Sequence, residues 1–153
     1  MTPEKMRDYL AKHAPELEAV ELADAHTTDY ISREWKVLPA QVAKTLMLRV
    51  GDNAMIVVTC GDSRLDNRKV KDALGGKGRM ISGPEASELT GHPVGGITPL
   101  CLATPLPVFF DVRLKRFAEV VTAAGSTHAA IRIPLVRFAE LVGAKWIDVC
   151  QDQ

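Results

Sequence analysis

Apolar positions along the chain recur with two periods, and the switches between them mark the predicted elements. In "TPEKMRDYLAKHA", Met6, Tyr9, Leu10 and His13 fall on one helical face, with Thr2 as N-cap and Pro3 at the first helical position, which predicts an opening helix. A short strand is expected at "AVEL". Next, "TTDYISREWKVLP" sets Ile31, Trp35 and Leu38 at helical spacing, with Thr28 as cap and Pro39 as the stop. "PAQVAKTLMLRV" passes from a helical turn into apolar strand, and Lys44 stands at the changeover. The β-branched run "AMIVVTC" is the clearest strand, and "GDN" before it predicts an antiparallel hairpin with its predecessor. Further along, "LDNRKVKDALGG" reads as a helix, with Asp66 near its start and Gly75-Gly76 at its end. "GPEASELTG" is a short helix with Pro84 in the first turn, and "PLPVFFDV" is strand. "RLKRFAEVVTAAG" reads as a helix closed by Gly125, "HAAIRIP" as strand, "LVRFAELVGA" as helix and "KWIDVC" as a terminal strand.

Helices interspersed with strands, at least one pair of them in a hairpin, predict an α+β (mixed α/β) fold with a curved sheet rather than a doubly wound parallel one. A chain of 153 residues is the size of a single domain, here 1–153, and folding at that size buries about two-thirds of the unfolded surface. Hydrophobic residues at 46% and charged residues at 25% supply a core without staples and exclude extended disorder.

Three cysteines, Cys60, Cys101 and Cys150, are odd in number and widely spaced, which speaks against a disulfide framework and a structural zinc site. Reduced thiols in a cytoplasmic protein are expected. The N-terminal stretch is charged and amphipathic, and no long apolar run follows, so neither secretion nor membrane association is expected. Net charge is zero, but it is unevenly spread. Residues 1–34 hold four basic against eight acidic side chains, whereas residues 64–79 hold six basic against two acidic. In that second stretch Arg64, Arg68, Lys69 and Lys71 read either as a solvated helix face or as contacts to a nucleic-acid backbone.

Familiar motifs for dinucleotides, nucleoside triphosphates, zinc proteolysis and hydrolase elbows are missing, and His13, His26, His92 and His128 lie far apart in sequence. No metal and no cofactor are expected. Cys60 and Cys101 read as structural thiols, with a thiol-dependent hydrolase as the alternative. Lys44 lies among uncharged neighbours, where an ammonium either snorkels outward or is held for an anionic group. The stretch "GHPVGGITP", residues 91–99, packs three glycines and two prolines into nine positions. Such a loop is either a plain turn or a cradle whose amides around Gly95 and Gly96 face a carbonyl or an oxyanion.

Taken in order, "LPAQVAKTLMLRV", then "GHPVGGITPL" about fifty residues later, then "FFDVRL", "AAG" and "AAIRIPLVRFAELVGAKWIDV" resemble the YbaK-like, prolyl-tRNA-synthetase-associated aminoacyl-tRNA editing domain family. The resemblance runs from Thr28 to the end. It implies a largely antiparallel mixed sheet closing on itself, with helices around it. It also implies a trans-acting deacylase that hydrolyses the ester of mischarged aminoacyl-tRNA, expected to be tRNA(Pro) carrying a small non-cognate amino acid such as Cys or Ala. Prolyl-tRNA synthetase is the implied protein partner.

By the same resemblance Lys44 matches the family's essential lysine and Gly95–Pro99 its G-x-x-x-P substrate loop, so Lys44, Gly95 and Gly96 are the expected catalytic positions. Thr28, Tyr30, His92, Ile97, Thr98, Pro99 and Ser126 are the expected substrate contacts. The family's chemistry needs no protein nucleophile, the terminal ribose hydroxyl and a positioned water assisting. The alternative is a non-catalytic tRNA- or synthetase-binding module of the same fold. Two departures stand out: relatives often read P-F-G where this chain has Pro99, Leu100 and Cys101, and glycine is common where Lys36 stands.

Overall fold

The computed structural model describes residues 2–21 and 28–152, without the side chains of Thr28 and Asp29. Helix α1 (Pro3–His13) begins where expected: Thr2 Oγ1 accepts the Lys5 N–H at 3.2 Å, and Met6 and Leu10 are its buried residues. Strand β1 (Ala19–Glu21) follows, then α2 (Thr28–Trp35). The stretch ahead of α2, with His26, lies outside the described residues. Helix α2 stops at Trp35, short of Pro39, because Lys36 takes a left-handed conformation with φ of 53°.

A 3-10 turn (Pro39–Gln41) leads into β2 (Ala43–Val50), which pairs antiparallel with β3 (Asn53–Cys60) along its whole length. Val50 opposes Asn53, so Gly51-Asp52 makes the predicted hairpin turn. Helix α3 (Asn67–Leu74) is capped by Asp66, whose carboxylate accepts the N–H groups of Arg68 and Lys69. Next come β4 (Gly78–Met80), α4 (Gly83–Thr90) and β5 (Val108–Asp111). The chain ends with β6 (Glu119–Ala123), β7 (Ala129–Pro134), α5 (Leu135–Val142) and β8 (Lys145–Ile147).

Five strands form one sheet in the order β4-β2-β3-β5-β8, antiparallel across β4-β2-β3 and parallel across β3-β5-β8. Three form a second, fully antiparallel sheet in the order β1-β7-β6. A parallel bridge between Val42 and Val121 joins the two. The result is the expected mixed α+β fold, in which the sheets meet at one bridge and do not close into a barrel.

Pairing register divides the β2–β3 side chains between two cores. Ala43, Met47, Ile56, Val58 and Cys60 face the main core with Phe110 and Phe138, whose rings meet edge-on at 4.9 Å. Leu48, Val50, Met55 and Val57 face a second core covered by Val70 of α3. With both faces buried, β3 reads as the continuous apolar run seen in the sequence.

One expectation fails. Residues 113–125 are not a helix: a 3-10 turn (Val112–Arg116) gives way to β6. Val120, Val121 and Thr122 are all fully buried, and an exposed-sided helix buries one stripe, whereas a strand between two packed layers buries both faces. β4, unforeseen in the sequence, is only three residues long and owes its existence to the edge of β2.

Candidate functional site

Lys44 is the second residue of β2, opposite Thr59, on the face of the sheet that α3 covers. Its ammonium donates to the Ser63 carbonyl oxygen at 2.9 Å from a half-buried position. An ammonium has three donors, so two are left for a ligand. Ser63 is itself placed by the turn after β3, where its N–H donates to the Cys60 carbonyl oxygen at 3.1 Å.

Residues 91–99 follow α4 and pack against the far end of β6. The Gly96 carbonyl oxygen accepts the Gly125 N–H at 2.9 Å, and Thr98 Oγ1 lies 3.3 Å from Thr122 Oγ1. Gly95 has φ of 89°, a conformation that glycine alone adopts without strain. Gly96 is glycine for a different reason from the one inferred from the sequence. A Cβ there would sit 2.6 Å from the Ser126 main-chain nitrogen and 2.7 Å from its carbonyl carbon. Its N–H closes a turn on the Pro93 carbonyl oxygen at 2.9 Å, so it is not aimed at a ligand. The N–H groups of Gly95 and Ile97, by contrast, have no acceptor among the described residues.

His92 is fully buried, and its ring Nε2 lies 2.8 Å from the Leu100 carbonyl oxygen, tying the two ends of the loop together. Donation by Nε2–H leaves Nδ1 as an acceptor, and Nδ1 has no partner among the described residues. Burial pushes the imidazole pKa below its ordinary 6.5, which keeps the ring neutral. Thr98 and Pro99 are buried and Ile97 packs against the main core, so these three hold the loop in place.

Ser126 touches the loop from one side and opens onto a cavity of about 820 Å³ from the other. Met6 and Leu10 of α1, Leu17 of the segment after it and Val20 of β1 give that cavity apolar walls, with Ser126 and His128 also lining it. Tyr30 is half-buried on α2. Thr28 opens α2, and its side chain lies outside the described residues.

Strand β6 and the residues after it link the two regions: Val42, two residues before Lys44, bridges to Val121, while the loop meets Thr122, Gly125 and Ser126. No hydrogen bond among the described residues joins Lys44 to the loop directly. Ser63, Thr122 and Gly125, the partners that position both parts, carried no local signal in the sequence because they act through tertiary contacts.

None of the three thiols is placed as a nucleophile. Burial raises the Cys101 pKa and, with Asp111 alongside, pushes that of Cys150 up to about 12, so both stay protonated near neutrality. Cys60 is fully buried and accepts a hydrogen bond from Arg116 Nη2 at 3.4 Å.

The four basic candidates of residues 64–71 separate. Lys69 is engaged: its ammonium lies 3.2 Å from Asp148, 3.0 Å from Asp152 and 3.0 Å from the Cys150 carbonyl oxygen. Arg113 binds the same two carboxylates and the buried Asp111, so this cluster fastens the C-terminal segment to α3 and β5. Arg64, Arg68 and Lys71 are exposed.

The scaffold is a two-sheet α+β fold that carries a strand lysine, Lys44, and a Gly-Gly-x-x-Pro loop, Gly95–Pro99. The chain belongs to the aminoacyl-tRNA editing domain family, which residues 23–141 match. It is 42% identical over 115 residues to the uncharacterized protein YwhH of Bacillus subtilis, covering 74% of this chain and 73% of that one. It is 31% identical over 110 residues to a proline--tRNA ligase of Lysinibacillus sphaericus, covering 71% of this chain but 19% of the ligase, about a fifth of its length. A solved structure described as a candidate trans-editing enzyme for prolyl tRNA synthetase superposes with a TM-score of 0.91 at 28% identity over 99% of both chains.

Proposed function

We propose that this chain is a trans-acting deacylase that hydrolyses the ester of mischarged aminoacyl-tRNA, specifically tRNA(Pro) bearing a small non-cognate amino acid such as Cys or Ala. The observation that carries the reading is the end-to-end structural correspondence, 99% of both chains, with the candidate trans-editing enzyme. In this reading Lys44 uses its two remaining donors on the terminal phosphate or ribose of the tRNA. The amides of Gly95 and Ile97 face the ester carbonyl. Water adds to that carbonyl, the negative charge that develops on oxygen is met by the amides, and collapse expels the terminal ribose hydroxyl, leaving free amino acid and tRNA. An aminoacyl ester is already activated, so orientation and oxyanion stabilisation suffice without a triad. Gly96 contributes shape, holding the loop against Ser126, and the cavity beside Ser126 discriminates among side chains. Editing of this kind compensates for weak discrimination between small apolar side chains in a synthetase pocket. Prolyl-tRNA synthetase is the protein partner that fits this role.

A panel of tRNA(Pro) species charged with Cys, Ala, Ser and Pro tests the proposal. Wild type is expected to release a small non-cognate residue and spare Pro, and Lys44→Ala to lower kcat/KM by roughly 10²-fold, the loss typical of removing one preorganised electrostatic contact. Equal rates for the two proteins would overturn the role of Lys44, and no release by wild type would leave the binding-module reading.

A further inference from the structure

We infer that the outer face of α3, with Arg64 ahead of it and Lys77 beyond it, is the surface that binds the acceptor-stem backbone of tRNA. The inference rests on the proposed tRNA substrate and adds where its duplex portion lies. Arg64 directly follows Ser63, the residue whose carbonyl oxygen holds Lys44. From there α3 crosses the sheet on the same face as Lys44. Its buried Val70 packs in the core of Leu48, Val50, Met55 and Val57, and a Cβ on Gly78 would lie 2.9 Å from Val70. The helix therefore starts beside Lys44 and ends beside the β2–β3 hairpin, a rise of about 12 Å for its eight residues. Arg68 and Lys71 are three residues apart and share its solvent face, and Lys77 follows in the exposed turn before β4.

Pairing on this helix is selective. Lys69 is given two carboxylates, yet no described residue supplies an ion-pair partner to Arg64, Arg68, Lys71 or Lys77. Asp66 is consumed in capping the helix, so Asp72 is the one acid on α3 that weakens the field. A row of four exposed cations running away from the lysine that meets the RNA terminus is complementary to a phosphate backbone leaving that point. Arg79 is not part of the row: it opposes Arg49 on the other face of the sheet, beside Glu85.

The test is binding of uncharged tRNA across a salt series by wild type, by Arg68→Glu/Lys71→Glu, by the milder Arg68→Gln/Lys71→Gln, and by Lys145→Glu on the opposite sheet edge as a control. Hydrolysis of an aminoacyl ester on a short CCA-end fragment is followed in parallel. The double reversal should weaken Kd by at least about tenfold at low salt and reduce the log–log salt slope by about two, with the neutral pair intermediate. The control should match wild type, and the short fragment should be cleaved alike by all. Unchanged tRNA affinity in the double reversal, or an equal loss in Lys145→Glu, overturns the surface. A wild type that binds tRNA through α3 but cleaves no ester overturns the deacylase reading and leaves the surface standing.

Discussion

At the scale of single residues, backbone strain falls on two positions that are not glycine. Lys36 and Cys101 are the non-glycine residues with positive φ among the described residues, at 53° and 55°. A left-handed conformation costs an L-residue about 1–2 kcal/mol, part of which glycine returns through its greater freedom when unfolded. Lys36 is exposed, so Lys36→Gly should raise stability by about 0.5–1 kcal/mol, read as a higher urea midpoint at unchanged slope. The reverse logic applies at Gly96. A methyl group there meets the Ser126 backbone, which cannot move aside without breaking the Gly125–Gly96 hydrogen bond. Gly96→Ala is therefore expected to destabilise by about 1–3 kcal/mol and to lower activity through a displaced loop, checked by urea unfolding alongside the deacylation assay.

At the scale of elements, the loop 91–99 behaves as a tied unit. Its ends are joined by the His92–Leu100 hydrogen bond, its middle is pinned to β6, and the Gly95–Ile97 corner is left with amides to spare. The tie has a pH signature. Because burial lowers the His92 pKa, the unfolded chain takes up a proton that the folded chain refuses once pH drops below about 6.5. That contribution to stability is present above 6.5 and is lost as pH falls toward the folded pKa. His92→Phe should thus be less stable at neutral pH, since Leu100 loses its donor, but should lose less further stability than wild type between neutrality and mild acid. Urea titrations at both pH values read the difference in slope, and parallel slopes would remove His92 as the titrating group. β6 teaches a related lesson: "RLKRFAEVVTAAG" has helical spacing, but Val120, Val121 and Thr122 are all buried, and only pairing with β7 and contact with β2 decide for strand.

At the scale of the whole molecule, charge and topology account for one another. A chain of zero net charge has no global attraction for RNA, so any steering comes from local separation. Folding achieves that separation by turning Lys69 inward onto Asp148 and Asp152 while leaving Arg64, Arg68 and Lys71 outward, and by fixing the start of α3 next to Lys44 through Ser63. The sequence showed six basic residues in a row of sixteen but could not tell the engaged one from the exposed ones. That depends on where the C-terminal segment lies.

Much of the architecture was legible in advance because it depends on local chemistry. Thr2 and Pro3 start α1, Gly51-Asp52 turns the hairpin, Asp66 caps α3, and a continuous β-branched run makes a strand buried on both faces. Lys44 and the glycine-rich loop could also be picked out, because residue type and order along the chain carry that signal. What the sequence alone determined, then, is which segments form elements and which residues are unusual for their surroundings. Only the tertiary structure decided that residues 119–123 are strand, that a Cβ at Gly96 would meet Ser126, and that His92 ties the loop to Leu100. Each depends on a partner outside its own element, and a contact between separate segments leaves no periodic trace in either one.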